Sequence, residues 1–229
     1  MHPLNDPSML TLRDGLGFQK KGKLAEAEAM YRQVLRARPL HATALHLLGI
    51  VLAQTGRSHE AVDVLRQSAG LQPNDAVNFH NLAGALFATG ALTEALQASE
   101  RSLQLNPVYV SAYSLRASIL WGLGSKVLAL QDIDLALSLH PSDANALAQK
   151  ATFQSAIEIE GGKGSATLRA TDSTSQPADA AFHAGAGVAF LNQRKFALAI
   201  QAFERVLALD PANTEVQGPL VLAKMMNCD

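Results

Sequence analysis

His46 and His80 stand 34 residues apart, and imidazoles brought level by a repeat are one way to hold a metal ion. No carboxylate or thiol joins them at ligand spacing, so the expected role is polar lining of a surface, and neither metal nor cofactor is expected. Cys228 is the single cysteine, which excludes an internal disulfide and a multi-cysteine zinc site. Gly161-Gly162-Lys163-Gly164 lacks the flanking strand that a phosphate-cradling loop requires, and no HExxH helix or Cys–His pairing is present. Thr171, Ser173, Thr174 and Ser175 offer hydroxyls for phosphorylation without a specific signal. With no nucleophile, base or metal set, the chain reads as a non-enzymatic protein.

Bulk composition narrows the partners. Of 229 residues, 48% are hydrophobic but only 17% charged, below the usual quarter, and aromatics are 5%. The formal net charge is −1, which leaves no basic face to displace counterions from nucleic acid and no pull toward an anionic membrane. Lys20, Lys21 and Lys23 read as a solvated surface cluster. The start, Met1 to Pro7, has neither the basic nor the apolar region of a secretory leader, and no apolar run approaches a membrane span. A reducing, cytoplasmic setting fits the lone thiol.

The elements that must position any site follow from a period. Prolines at Pro39, Pro73, Pro107 and Pro141 step by 34, as do Gly22, Gly56, Gly90 and Gly124, and Ala27, Ala61, Ala95 and Ala129. Each glycine suits a left-handed helix end, each alanine a close helix crossing, and each proline a helix stop. Asp75 and Asp143 follow prolines as expected N-caps, and Glu26, Glu60 and Glu94 fall in expected first turns of second helices. Apolar residues between these marks recur at helical spacing, as in Leu45, Leu48 and Leu52, then Val62, Leu65 and Ala69. An all-α fold of helical hairpins is predicted.

Leu45-x2-Leu48-Gly49-x2-Leu52, then Ala61-x3-Leu65, then Pro73 resembles the tetratricopeptide-repeat pattern. Phe79, Leu82, Ala83, Leu86, Ala95 and Pro107 repeat it, with Ser99 at the aromatic position; Tyr113, Ala117, Leu120, Ala129, Ile133 and Pro141 repeat it again, with Arg116 in place of leucine. Gly15, Phe18, Ala27, Tyr31 and Pro39 carry it in the first unit, and Gly187, Phe190, Ala199, Phe203 and Pro211 in the last. The resemblance implies one right-handed α-solenoid domain of about six hairpins. Its repeats are expected at about 8–41, 42–75, 76–109, 110–143, 144–179 and 180–213, with a capping helix at 214–229.

The fifth unit is degenerate. Pro177 lies 36 residues after Pro141, so two extra residues are expected near Gly161–Gly164, with Pro177 closing the unit. Leu147, Ala151, Phe153 and Ile157 support its first helix; Ser165 to Gln176, rich in Ser, Thr and Asp, argues against a sound second one, so a loop is expected at 161–177, either a decayed second helix or a flexible joint between 1–160 and 180–229. Arg194 replaces the turn glycine of the sixth unit. In the cap, Pro219 suits a first turn, and Leu220, Leu222, Ala223 and Met226 are expected to cover the last hairpin. Met225, Met226 and Cys228 are apolar for a finished end, which points to continuation in longer relatives or dimerisation there.

In the resembled family the first helix of each hairpin lines a concave groove, so residues one period apart form ladders. The candidates are Leu12, His46, His80 and Ser114; Leu16, Ile50 and Ser118; Phe87 and Trp121; and Arg13 with Asn81. Phe87 and Trp121 are either aromatic anchors or core. The Lys, Arg and Asn clamp by which some relatives capture a carboxylate terminus is represented by Arg13 and Asn81 alone, and the asparagine ladder of glycosyltransferase arms by Asn81 alone. The resulting expectation is a scaffold that binds a partner peptide or helix, as a monomer or weak homo-oligomer. The alternatives are a substrate-recruiting arm of a transferase system and a self-assembling structural solenoid.

Overall fold

A computed structural model describes residues 7–161, 176–192 and 196–227. Among them there are twelve helices and no strand, arranged in two compact units, Met1–Leu105 and Asn106–Asp229. In the first unit α1 (Pro7–Lys20) pairs with α2 (Leu24–Ala37), α3 (Ala42–Gln54) with α4 (Ser58–Leu71), and α5 (Ala76–Ala88) with α6 (Leu92–Leu105). In the second, α7 (Val110–Gly122) pairs with α8 (Lys126–Leu139), and α9 (Ala144–Gly161) lies on α8. There α10 (Gln176–Asn192) pairs with α11 (Phe196–Leu209), and α12 (Gln217–Met226) packs on α11.

The turns form as their residues dictate. Gly22, Gly56, Gly90 and Gly124 have φ of 72°, 78°, 80° and 83°, a region closed to most L side chains. The residue after each glycine returns its N–H to a carbonyl five positions back, for example Arg57 N to Leu52 O at 2.9 Å, closing the helix end. Asp75 accepts hydrogen bonds from the Val77 and Asn78 amides, and Asp143 Oδ1 from the Ala146 amide at 2.8 Å, so both expected caps form. Glu26, Glu60 and Glu94 fall in first turns as expected.

Small residues sit where the helices of a hairpin approach closely, and in three hairpins a glycine faces a large side chain. Ala27, Ala61, Ala95, Ala129 and Ala199 are fully buried. An added Cβ on Gly15 would lie 2.5 Å from Tyr31, one on Gly49 2.4 Å from Leu65, and one on Gly187 2.4 Å from Phe203. The glycine on the first helix thus makes room for the large residue 16 positions later on the second. Arg116, the expected departure from leucine, is buried in the second unit. Its Nε and Nη2 each donate at 2.6 Å to the two carboxylate oxygens of Asp132, which is also buried.

Polar contacts close single hairpins and also join neighbouring ones. Ser68 Oγ and Ser102 Oγ donate to the Ala42 and Ala76 carbonyls at the start of their own hairpins. On the outer surface Glu28 meets both Arg32 and Arg57, and Arg66 reaches Glu94 at 2.8 Å.

The structure corrects several details. Pro177 does not close the fifth unit; it stands second in α10, where a missing N–H costs nothing. α9 runs through Gly161 and buries Ala146 and Phe153, while Leu147 is 48% exposed. The cap starts at Gln217 rather than Thr214 and buries Leu220 and Ala223, leaving Leu222 and Met226 exposed. The expected second helix of the fifth unit, apart from Gln176, and the Arg194 turn lie outside the described residues. No described helix is long and apolar enough to cross a membrane.

Candidate partner-binding faces

In the first unit the candidates sit on α1, α3 and α5. Leu12 is 5% exposed and packs inside the unit rather than lining a surface. Leu16 is exposed, and Arg13 is exposed and lies 3.7 Å from Asp14. His46, Leu47, Ile50, His80, Asn81 and Phe87 are half-buried. Neither α3 nor α5 contains an Asp, Glu, Lys or Arg, so this stretch of surface is uncharged over two successive hairpins. Burial pushes the His80 imidazole below its ordinary pKa, which keeps the ring neutral at pH 7.

His46 and Asn81 are engaged with each other. Asn81 Nδ2 donates to His46 Nε2 at 3.1 Å, and His46 Nδ1 donates to Asn78 Oδ1. Asn78 is fully buried, at the position that Ala44 and Ala112 occupy in neighbouring hairpins. Its amide also donates to Gln72 and to the capping Asp75, at 2.9 and 3.2 Å. The His46 ring is therefore held by two amides between adjacent hairpins, in the tautomer with the proton on Nδ1. Among the described residues no group of three or more His, Cys, Asp and Glu could hold a metal ion.

In the second unit the candidates lie on α7. Ser114 and Ser118 are tied down by Gln149 of α9, whose Nε2 donates to the Ser114 carbonyl at 2.9 Å and to Ser118 Oγ at 2.6 Å. Trp121 stacks on Phe153 of α9, with centroids 4.1 Å apart and planes 4° from parallel, and the Lys126 ammonium lies 5.4 Å over the indole. Trp121 is half-buried, so part of the indole remains accessible, whereas Phe153 is 7% exposed. The aromatic pair of this unit is thus Trp121–Phe153. Sequence reading placed Phe153 on α9 but missed the stack, because it aligned residues by a strict step of 34.

The helical hairpins, the glycine turns and the small-to-large register recur from unit to unit. The sequence model described as tetratricopeptide repeat matches residues 12–76 and 165–214, together half of the chain. The chain belongs to the tetratricopeptide-repeat family. Solved tetratricopeptide-repeat folds resemble it at low identity. One crystal structure of MamA is 19% identical, covering 86% of this chain and 94% of that one with a TM-score of 0.54. TTC0263 of Thermus thermophilus, a thermophilic TPR protein, is 15% identical, with 95% and 99% covered and a TM-score of 0.53. An O-GlcNAc transferase mutant of Thermobaculum terrenum is 25% identical over 57% of this chain but only 27% of its own length, with a TM-score of 0.50. Comparison with curated proteins returns no match. Tetratricopeptide hairpins present side chains on a rigid scaffold for other proteins, and no further chemistry follows from the fold itself.

Proposed function

We propose that the chain is a non-enzymatic scaffold that binds an uncharged, apolar segment of a partner protein on the face formed by α1, α3 and α5. The observation that carries this reading is the absence of any charged residue from α3 and α5, although Ile50 and Phe87 remain partly exposed on them. The α3 and α5 part of this face, free of fixed charge, gains from covering apolar atoms and has little to offer a carboxylate terminus, while Arg13 on α1 already lies beside Asp14. Asn81, the one residue suited to an asparagine ladder, is already used by His46. Taken by itself, the second unit offers the partly accessible indole of Trp121 as a separate aromatic contact.

The reading is tested by selecting peptides from a random display library on the immobilised chain. Selected sequences should be poor in acidic residues, and Ile50→Asp or Phe87→Asp should weaken their binding at least tenfold while the helical circular dichroism is kept. Enrichment of acidic C-termini, or binding indifferent to both substitutions, would overturn it.

The second reading, a substrate-recruiting arm for a transferase, is favoured by the partial likeness to the O-GlcNAc transferase mutant, which is confined to 27% of that chain. Under that reading Asn81→Ala impairs capture of an extended peptide backbone, and under the first it does not.

A further inference from the structure

α12 is placed like the first helix of another hairpin. Val216, just ahead of the helix, and Leu220 and Ala223 on it are buried, at the register of Ala44, Leu48 and Val51 in α3. The residues that would meet a second helix differ. Gln217 and Lys224 stand where α3 has the buried Leu45 and Leu52, and Lys224 is drawn to Glu204 of α11 at 2.7 Å. Val221 stands at the register of Gly49, where glycine leaves room for Leu65. A hairpin partner of the usual kind would meet two polar side chains and a branched one, so α12 is not shaped for it.

The apolar surface of α12 points elsewhere. Gly218, Val221, Leu222 and Met225 follow i, i+3, i+4, i+7 spacing and make one exposed stripe, the last three being 58%, 52% and 66% exposed. The stripe carries no charge, and a Cβ at Gly218 would meet nothing within 4 Å. It is also self-complementary. When two copies of α12 lie antiparallel in full overlap, Met225 of each faces Gly218 of the other, and Val221 faces Leu222. Large meets small at the ends and two medium side chains meet near the axis, the same reciprocity that joins Gly49 to Leu65 within a hairpin.

We propose that α12 is a self-association surface through which two copies of this chain pair antiparallel about a two-fold axis. Three large apolar side chains per copy make a small interface, below the roughly 1,200 Å² of a stable complex, so the dimer exchanges and depends on concentration.

Sedimentation equilibrium of the 229-residue chain, from low-micromolar to near-millimolar concentration, tests this. The weight-average mass should climb toward twice that of the monomer. Met225→Glu should weaken association at least tenfold with unchanged helical circular dichroism, and Leu147→Glu, on exposed α9 surface, should leave it as it was. In a Cys228→Ser background, Leu222→Cys should form an intermolecular disulfide under mild oxidation far more readily than Leu147→Cys. A monomeric mass at every concentration, including one caused by α12 serving a different partner, overturns the proposal. So does association that Met225→Glu leaves unchanged.

Discussion

Trp121 lies face to face on Phe153, 32 residues further along the chain rather than the 34 of the repeat. The same step joins His46 to Asn78, and a step of 35 joins His46 to Asn81, Ser114 to Gln149 and Gln19 to Gln54. Neighbouring first helices cross at an angle, so a side chain meets the residues just before and just after its own equivalent. Positions 32 and 35 steps on are three apart and share one helix face. The ladder of strict equivalents is a ladder of positions, while the contacts run beside it.

The stack makes Trp121 structural and accessible at once. Trp121→Ala and Phe153→Ala should each destabilise the second unit by about 2–4 kcal/mol in urea unfolding. A double-mutant cycle should return a coupling of about 0.5–1.5 kcal/mol for the ring pair. A coupling near zero would mean that the two rings act independently.

Arg116 and Asp132 should behave as one unit. Removing either partner, as in Arg116→Leu or Asp132→Val, leaves a buried charge alone and should cost about 3–5 kcal/mol. The double change Arg116→Leu with Asp132→Val restores the residue types of Leu48 and Val64, two hairpins earlier, and should recover most of the loss. Chemical denaturation of the three variants decides this: a double variant as unstable as the singles would show that the pair does more than satisfy itself.

Gly49→Ala sets helix propensity against packing. Alanine favours a helix by about 1 kcal/mol over glycine, but its Cβ would lie 2.4 Å from Leu65 Cγ. Leu65 is fully buried, so overpacking should prevail by about 1–3 kcal/mol and lower the melting temperature. Leu65→Ala combined with Gly49→Ala should lose less than the two single changes added together.

His183 makes the second unit sensitive to acid. It is buried beside a cavity of about 430 Å³, which Asp132 and Arg205 also line. Burial, then the positive fields of Arg116 and Arg205, lower its pKa to about 3. An unfolded chain binds a proton on this ring from about pH 6.5 downward, whereas the folded chain resists until about pH 3. Stability is therefore complete above neutral pH and falls as pH drops through that window, by roughly 1.4 kcal/mol per pH unit at most. Glu28, held below its ordinary pKa first by its hydrogen bond to Arg57, adds a slope of the same sign lower in the acid range. His183→Gln should flatten the decline between pH 6 and 4 when melting temperature is followed against pH; an unchanged profile would place the acid sensitivity elsewhere.

Local chemistry was legible wherever a residue acts on its own segment. Gly56 ends a helix because its backbone takes positive φ, Asp75 caps one because its carboxylate reaches two amides, and Pro73 stops one because it lacks an N–H. Each property belongs to the residue and its immediate neighbours, so the period, the hairpins and the all-α fold could be read from the sequence alone. Partnerships across helices could not. That Asn81 serves His46, that Gln149 holds Ser114 and Ser118, that Leu12 is core and that Leu222 is bare all depend on helix crossing and rotation. These are set by the summed packing of many side chains, and only the tertiary structure decided which residues of a helix face remain free to meet a partner.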